Sequence, residues 1–253
     1  MHEGVPVGGA LVRELLASAN ATAGNGAQEP GIEAYGALTV VARGGEVEVG
    51  LEDGTRLRLA DGEAVDVPAP RAFRVRYVAV RGGLEVPEVL GGRGTLAVAG
   101  FGGHEGRALR RGDRLAVGTA SMAVQAGEAD ASGAVDLDTL IRVVVGPDSE
   151  RFEQEAGVVL LSETYAVLAA SDRVGSRLGG PELARLDGDD SLAAPMAAGA
   201  IQVPSSGAPI VLGPDHPTTG GYPVIAVVVR RDLGRFFARP IGAHVRFVRW
   251  RGD

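Results

Sequence analysis

Apolar and polar positions alternate with a period of two along much of this chain, or form short β-branched runs. Such runs, separated by Gly and Pro, predict strands. Many short strands with turns between them indicate barrels or sandwiches, and not alternating strands and helices. The predicted strands are Leu38–Ala42, Val47–Leu51, Arg56–Ala60, Ala64–Val67, Phe73–Val80, Thr95–Ala99, Ile141–Val145, Tyr165–Ala169, Ile201–Val203, Pro209–Leu212, Val224–Val229 and Val245–Trp250.

Three short helices are expected among these strands. The first carries an apolar stripe from Leu11 and ends near Gly24. A second begins near Ser149, where several glutamates favour the positive end of the helix dipole. A third contains Leu233 and Phe236. The sequence therefore predicts a mainly β fold with few short helices.

The segment from residue 119 to residue 138 is rich in Ala, Gly, Ser and acids and has little periodicity, which is typical of a connection between domains. The chain has 253 residues, enough for two modest domains. We therefore predict an N-terminal β domain over residues 1–125 and a C-terminal β domain over residues 126–253.

Two amino acids are absent: all 25 basic residues are arginine, and there is no cysteine. Without lysine the chain cannot carry biotin, form a Schiff base or supply the lysine of a phosphate-binding P-loop. Without cysteine it has no disulfide, thiolate zinc site or cysteine nucleophile. No cofactor is therefore expected to be bound covalently, and ATP or biotin would have to arrive through a partner subunit.

The net charge of −7, without a stripe of arginines, disfavours binding to nucleic acid. No apolar run approaches the ~18 residues that span a bilayer, and no secretion signal opens the chain. We expect a soluble, cytoplasmic protein with no membrane or nucleic-acid partner.

The most informative stretch is a polar loop between two apolar β-branched segments that end at Leu212 and begin again at Val224. It could surround a small polar molecule, because its side chains can donate or accept hydrogen bonds and paired glycines admit a ligand close to the backbone. An equally weighted alternative is a hydrogen-bonded corner that fixes a strand crossing. The candidate residues in the loop are Asp215, His216, Thr218, Thr219, Gly220, Gly221 and Tyr222.

A second candidate is the charged segment from Ser171 to Leu178, interpreted as a compact turn. Arg173 or Arg177 could grip a substrate carboxylate through two hydrogen bonds. The alternative is an ion pair between Asp172 and an arginine that holds the loop in place.

No metal site is predicted. Asp187 to Asp190 resembles the start of a calcium loop, but Ala198 stands where the bidentate glutamate belongs, which favours a solvated turn. The glycine-rich segment from Gly100 to Gly106 does not match a dinucleotide fingerprint.

Taken together, the motifs resemble those of the biotin-dependent carboxyltransferase family, which includes the C-type component of 5-oxoprolinase, the second allophanate hydrolase subunit and the carboxyltransferase part of urea carboxylase. The resemblance covers nearly the whole chain. Its carriers include Gly4–Ala10 and Asn20 with Gly24-Asn25 near the N-terminus. The residues that match the family pattern most specifically are Gln202, Pro204, Asp215, Thr218, Thr219, Gly220, Gly221, Tyr222 and Pro223. The chain departs from the family at Ala193-Ala-Pro195, where Ser-Glu-Gly is frequent, and at Val12, where aspartate is common.

The resemblance implies two β-barrel-like domains, the C-terminal one cyclophilin-like. It also implies a subunit of an ATP-dependent 5-oxoprolinase, an amidohydrolase that acts with a B-type and possibly an A-type subunit and is inactive alone. One alternative is the carboxyltransferase component of a urea carboxylase or allophanate hydrolase-like system. Another is a non-catalytic regulator that antagonises an inhibitor of a sensor kinase.

Lactam opening and carboxyl transfer both need charge stabilised on a carbonyl oxygen, and the backbone N–H groups of Gly220 and Gly221 are candidate donors, with Thr218 and Thr219. Asp215 or His216 could move a proton. Gln202 could orient the substrate amide. The resemblance adds Asn20 and Tyr222 as substrate contacts. We expect Asp215→Asn and Gln202→Ala to impair activity far more than stability.

Relatives carry a leading strand before the motif that begins here at Gly4, so we also expect an exposed edge strand near the N-terminus of this chain.

The purified chain alone is expected not to hydrolyse ATP, because it has no phosphate-cradling loop and no lysine to neutralise a transferring phosphoryl group. Phosphate release from ATP, measured with the single chain, checks this expectation. Robust turnover would contradict it.

Overall fold

The computed structural model describes residues 4–6, 8–119, 135–137, 140–186 and 193–252. The chain divides into two compact units, one of Gly8–Val135 and one of Met1–Val7 with Asp136–Asp253. The predicted domain boundary between residues 125 and 126, and the turn from Asp187 to Asp190, lie outside the described residues.

In its described part, the unit of residues 8–135 contains one helix and two antiparallel sheets. A four-stranded sheet has the order β1-β6-β3-β4, and β2 pairs with β5. The elements are α1 (Arg13–Ala23), β1 (Ile32–Ala34), β2 (Leu38–Val41), β3 (Val47–Leu51), β4 (Arg56–Leu59), β5 (Ala64–Val67) and β6 (Arg76–Val80).

The first turn of α1 is capped by residues distant in the sequence. Its N-cap residue, Val12, has no capping side chain. Instead, the Leu11 N–H donates to Glu33 Oε2 at 2.9 Å and the Val12 N–H donates to Tyr77 Oη at 3.0 Å. Tyr77 in turn donates its hydroxyl proton to Glu33 Oε2 at 2.6 Å. The helix therefore begins where β1 and β6 place these acceptors, and it ends at Gly24 in the left-handed conformation, as predicted.

Gly50 lets α1 approach β3 closely. A Cβ at this position would lie 2.4 Å from the backbone nitrogen of Ala23 and 2.6 Å from the carbonyl oxygen of Ala19. Because both neighbours are backbone atoms of a helix, no side-chain rotation can relieve the contact.

We expect Gly50→Ala to lower the free energy of unfolding of this unit by about 3 kcal/mol, because a methyl group in a filled interface forces the helix away from the sheet. Urea unfolding of both proteins measures the change. The control is Gly36→Ala, since no atom lies within 4 Å of the Cβ position at Gly36. Equal stability of the two variants would show that α1 shifts freely.

The unit of residues 136–253 is built on a closed seven-stranded barrel of order β11-β12-β9-β8-β15-β7-β14. Neighbouring strands are antiparallel except for β7 and β15, which are parallel. A separate pair joins β10 and β13. The elements are β7 (Ile141–Val145), α2 (Gln154–Ser162), β8 (Thr164–Val167), β9 (Gly175–Gly179), β10 (Ala194–Pro195), β11 (Ala200–Gln202), β12 (Ile210–Leu212), β13 (Thr219–Gly220), β14 (Val224–Val228), α3 (Leu233–Phe237) and β15 (His244–Arg249).

Aromatic side chains fill part of the core of this unit. Tyr165, Phe236 and Phe247 are each at most 1% exposed. The ring centroid of Phe247 lies 6.1 Å from that of Tyr165 and 6.3 Å from that of Phe236. These contacts join β8, β15 and α3 into one apolar cluster.

A buried ion pair fastens α3 to the barrel. Asp232, which is fully buried, accepts hydrogen bonds from the backbone N–H of Arg142 at 2.8 Å and from its guanidinium at 2.7 and 2.9 Å. Burial raises the pKa of this carboxyl, but the hydrogen bonds and charge of Arg142 outweigh it, so the net pKa lies below its ordinary value of 3.8. The stabilisation is complete above that value and is lost as the pH falls through the lowered pKa.

The mainly β fold with few short helices is confirmed, but several predictions of local structure need correction. The second helix begins at Gln154 and not near Ser149, where the chain forms only a 3₁₀ turn. Residues Thr95–Ala99 do not form a strand, because a turn intervenes: the Gly100 N–H donates to the carbonyl oxygen of Leu96 at 3.0 Å. The predicted strand Phe73–Val80 begins three residues later, at Arg76. The segment Ser171–Leu178 is a turn only in its first half, since β9 begins at Gly175. No helix among the described residues combines the length and apolarity needed to cross a membrane.

Candidate functional site

The polar loop between β12 and β14 is tied to the chain that precedes β11. Thr219 and Gly220 form β13 and pair with Pro195 and Ala194 of β10. The backbone N–H of Met196 donates to the carbonyl oxygen of Thr218 at 2.9 Å. The segment Ala193-Ala-Pro195, where the chain departs from the family pattern, therefore lies directly beside the loop.

Gln202 is the buried polar side chain next to this strand pair. It lies in β11, where the register with β14 shifts between Ile201 and Gln202. Its Nε2 donates to the carbonyl oxygen of Tyr222 and to Met196 Sδ, both at 3.2 Å. Because a carbonyl oxygen only accepts, this contact fixes the orientation of the amide. Gln202 can therefore offer Oε1 to an N–H group of a ligand.

Glycine at position 220 leaves room for the Gln202 amide. A Cβ there would lie 2.8 Å from Gln202 Nε2 and 3.1 Å from Met196 Cγ. The glycine and the methionine thus set the position of the amide together. The sequence analysis did not identify Met196 as part of the site. The sequence feature next to it is the departure from the family pattern at residues 193–195.

Asp215 and Arg173 form a tight ion pair across 42 residues of sequence. Arg173 Nε lies 2.7 Å from Asp215 Oδ2, and its terminal nitrogen lies 3.0 Å from Oδ1. The Asp215 side chain is 5% exposed and that of Arg173 is 23% exposed. Asp215 as a proton carrier and Arg173 as a carboxylate clamp stay predictions, and each role would require this pair to open.

The loop of Arg173 is held at both ends. Asp172 Oδ1 accepts hydrogen bonds from the backbone N–H groups of Val174 at 2.8 Å and Gly175 at 3.0 Å. The backbone N–H of Asp215 donates to the carbonyl oxygen of Arg173 at 3.1 Å. Asp215 is therefore one partner that holds Arg173 in this loop, and Asp172 shapes the turn by accepting from the backbone N–H groups that follow it.

His216 is buried, and its contacts define its tautomer. Its Nδ1 lies 2.7 Å from the carbonyl oxygen of Pro217. Since that oxygen can only accept, Nδ1 carries a proton, and in the neutral ring Nε2 is the acceptor. His216 can therefore take up a proton at Nε2.

The remaining loop residues are more accessible. Thr219 and Tyr222 are exposed. The hydroxyl of Thr218 donates to the carbonyl oxygen of Gly4 at 3.3 Å. Arg177 points outward from β9 and is exposed. Gly221 is partly buried beside Tyr222.

Asn20 belongs to the unit of residues 8–135, where it fastens a loop. Its Nδ2 donates to the carbonyl oxygen of Glu29 at 2.8 Å, and its Oδ1 accepts from Asn25 Nδ2 at 3.1 Å. Asn25 also bonds to the carbonyl oxygen of Val80 at 2.7 Å and to the N–H of Gly82 at 2.9 Å. This network engages both polar groups of the fully buried Asn20 amide and favours a structural role.

Across the described ranges of the chain, no three acidic or histidine side chains are placed to hold a metal ion.

The closed barrel, with the polar loop between β12 and β14, gives the chain a carboxyltransferase fold. The solved urea carboxylase of Kluyveromyces lactis shares this fold, with a TM-score of 0.84 over 97% of this chain and 25% of that chain, at 24% identity. The family model for the carboxyltransferase domain, subdomain A and B, matches residues 3–249, and the chain belongs to this family.

Two relatives cover almost all of the chain. The C-type component of the 5-oxoprolinase of Escherichia coli (strain K12) is 33% identical over 263 residues, which include 98% of this chain and 84% of the relative. Urea amidolyase of Lachancea kluyveri is 28% identical over 97% of this chain, but the match spans only 15% of that larger protein.

We expect Asp215→Asn to lower the free energy of unfolding by about 3 kcal/mol, because a neutral amide replaces a nearly buried carboxylate that accepts from Arg173 through both of its oxygens. This revises the sequence-based expectation that the substitution spares stability. Urea unfolding of this variant and of the parent protein measures the loss. The neighbouring substitution Asp172→Asn is the control.

The double variant Arg173→Gln with Asp215→Asn should lose less stability than the sum of the two single changes. If the losses in the free energy of unfolding are additive, the two side chains are not coupled in stability. The interpretation of Asp215 as a catalytic residue would then be favoured again.

Proposed function

We propose that this chain is the C-type component of an ATP-dependent 5-oxoprolinase, and that it acts in the cytoplasm with a B-type and an A-type subunit. The observation that carries the proposal is the similarity to the corresponding 5-oxoprolinase component of Escherichia coli, at 33% identity over 98% of this chain and 84% of the relative. The aligned region includes both the barrel and the polar loop, so it contains Gln202 and the candidate residues near it.

Opening the lactam ring breaks its C–N bond. Water adds its oxygen to the carbonyl carbon, the ring nitrogen gains a proton, and glutamate is formed. The barrier lies in charge that develops on the carbonyl oxygen, and donors held in place by a folded backbone lower it. The N–H groups near Gly220 and Gly221, with the Thr219 hydroxyl, are the donors that we assign to this oxygen.

Gln202 and His216 complete the arrangement. The fixed Oε1 of Gln202 would accept the lactam N–H and orient the ring. His216 Nε2, which is the acceptor nitrogen of the neutral ring because Nδ1–H donates to the carbonyl oxygen of Pro217, would take the proton of the attacking water. ATP, bound by a partner subunit, would phosphorylate the carbonyl oxygen and release ADP. After water adds and the C–N bond breaks, a second water would hydrolyse the resulting acyl phosphate to glutamate and phosphate.

A carboxyltransferase role is the second candidate, because the same stretch of chain resembles urea amidolyase over 97% of its length. Such a role would require biotin on another polypeptide, since this chain has no lysine to carry it.

The decisive test is reconstitution of the complex from this chain and the B-type and A-type subunits of its source. Glutamate release from 5-oxoproline, coupled to ATP hydrolysis, is expected from the full complex and is expected to disappear when this chain is omitted.

Within the active complex, Gln202→Met should lower turnover about a hundredfold, because it keeps the shape of the side chain and removes the orienting amide. Its melting temperature should stay close to that of the parent. Ser206→Ala, an exposed change in the β11–β12 connection, is the control.

Two results would overturn the proposal. Carboxylation of urea by the chain with a biotinylated carrier, without turnover of 5-oxoproline, would favour the carboxyltransferase. An inert complex that relieves inhibition of a sensor kinase would favour the regulatory protein.

A further inference from the structure

A cavity of about 340 Å³ lies at the surface of the unit of residues 8–135. Side chains of both charges line it together with apolar ones. A volume of this size suits a small molecule, and a concave wall that combines apolar contacts with a few charged groups is typical of a ligand pocket. The charged residues are Glu29, Glu85 and Arg93, and the apolar residues are Leu84, Val86 and Pro87.

The charged groups of this pocket keep most of their capacity for hydrogen bonds. Arg93 Nη1 lies 3.6 Å from Glu29 Oε2, which is close enough for an ion pair but too long for a hydrogen bond. Within the described part of the chain, no second acid pairs with Arg93, and no side chain pairs with Glu85. The guanidinium can therefore still bind a carboxylate through two hydrogen bonds, and both glutamates can still accept them.

Buried amides hold two walls of the pocket in place. The fully buried Asn20 donates from Nδ2 to the backbone carbonyl oxygen of Glu29 at 2.8 Å. Asn25 donates from Nδ2 to Asn20 Oδ1 at 3.1 Å and accepts at Oδ1 from the N–H of Gly82 at 2.9 Å. One network thus fixes the Glu29 wall relative to the Gly82 wall. A pocket whose walls are fixed in advance loses less conformational freedom when a ligand binds.

Gly83 leaves room for the Glu29 carboxylate beside Arg93. Its φ of +76° lies in the left-handed region, and a Cβ there would lie 3.0 Å from Glu29 Oε2. A side chain at this position would therefore have to displace the carboxylate from the guanidinium.

We propose that this pocket binds a free α-amino acid with an uncharged side chain. Arg93 takes the carboxylate of the ligand, and Glu29 and Glu85 hold its ammonium group. The side chain of the ligand lies against Val86 and Pro87. The inference does not depend on the proposed function, because the pocket and Gln202 belong to different units of the chain.

The charges of the pocket select this class of ligand. A simple carboxylic acid would leave both glutamates without a cation, and a simple amine would leave Arg93 without a carboxylate. A second carboxylate on the ligand, as in glutamate, would be repelled by the two glutamates of the pocket. An ammonium group and one carboxylate on the same small molecule match all three side chains.

The test titrates the purified full chain with L-leucine by calorimetry, and saturable binding is expected. Isocaproate lacks the ammonium group of leucine, and isopentylamine lacks its carboxylate. Each should bind about tenfold more weakly than L-leucine, because one set of charge-assisted hydrogen bonds is lost. L-Glutamate should also bind more weakly than L-leucine.

Arg93→Gln and Glu85→Gln should each weaken the binding of L-leucine about tenfold, because each removes one charged contact. Both side chains are exposed, so the melting temperatures should stay close to that of the parent. Glu88→Gln is the matched control, since Glu88 is exposed and does not line the pocket. It should alter the affinity by less than about twofold.

The inference is wrong if L-leucine shows no saturable binding, or if its affinity is the same in the parent, Arg93→Gln and Glu85→Gln proteins. Isopentylamine that binds as tightly as L-leucine would also overturn it, because the pocket would then be a site for cations alone. Tighter binding of L-glutamate than of L-leucine would contradict the assigned roles of the two glutamates.

Discussion

The parallel pairing of β7 with β15 is the constraint on which the architecture of residues 136–253 depends. Phe247 pairs with Ile141 and Arg249 with Val143, so the last strand returns beside the first strand of the barrel. A closed barrel has no free edge, and each strand is held on both sides. Closure therefore fixes where β11 and β14 lie, and with them Gln202 and the polar loop that follows β12.

The polar interactions of this unit fall into two kinds. The pairs Arg142–Asp232 and Arg173–Asp215 join distant segments through both carboxylate oxygens, and such pairs hold one arrangement because separating them breaks two charge-assisted hydrogen bonds to a buried carboxylate. Gln202 and His216 differ, since each donates an N–H group to a backbone carbonyl oxygen. Each therefore has a further polar atom with a defined position, which is what a substrate-binding group needs.

The sequence predicted strands well where apolar residues recur at every second position. β3, β5 and β7 agree with the prediction at both ends, and in each of them Val, Ile or Leu recurs in this way. The strand prediction failed at Thr95–Ala99, because the flanking glycines allow a turn that periodicity does not reveal. It also missed β9, because the glycines and arginine of that strand are typical of loops. The Arg173–Asp215 pair and the Met196 contact could not be predicted, because they depend on which segments the closed barrel brings together.

The shift of register between β11 and β14 has a consequence for how this protein can vary. Ile201 pairs with Ala226 and Gln202 with Val224, so Ile225 is one extra residue in its strand. That bulge sets the face on which Gln202 lies and also directs Ile225 toward α2, where it lines a cavity together with Val143 and Val158. Losing a single residue from β14 would reverse the two faces of the strand beyond that point. Two positions, those of Gln202 and Ile225, therefore constrain the length of β14. Insertions and deletions should be tolerated in the connecting loops but not in this strand.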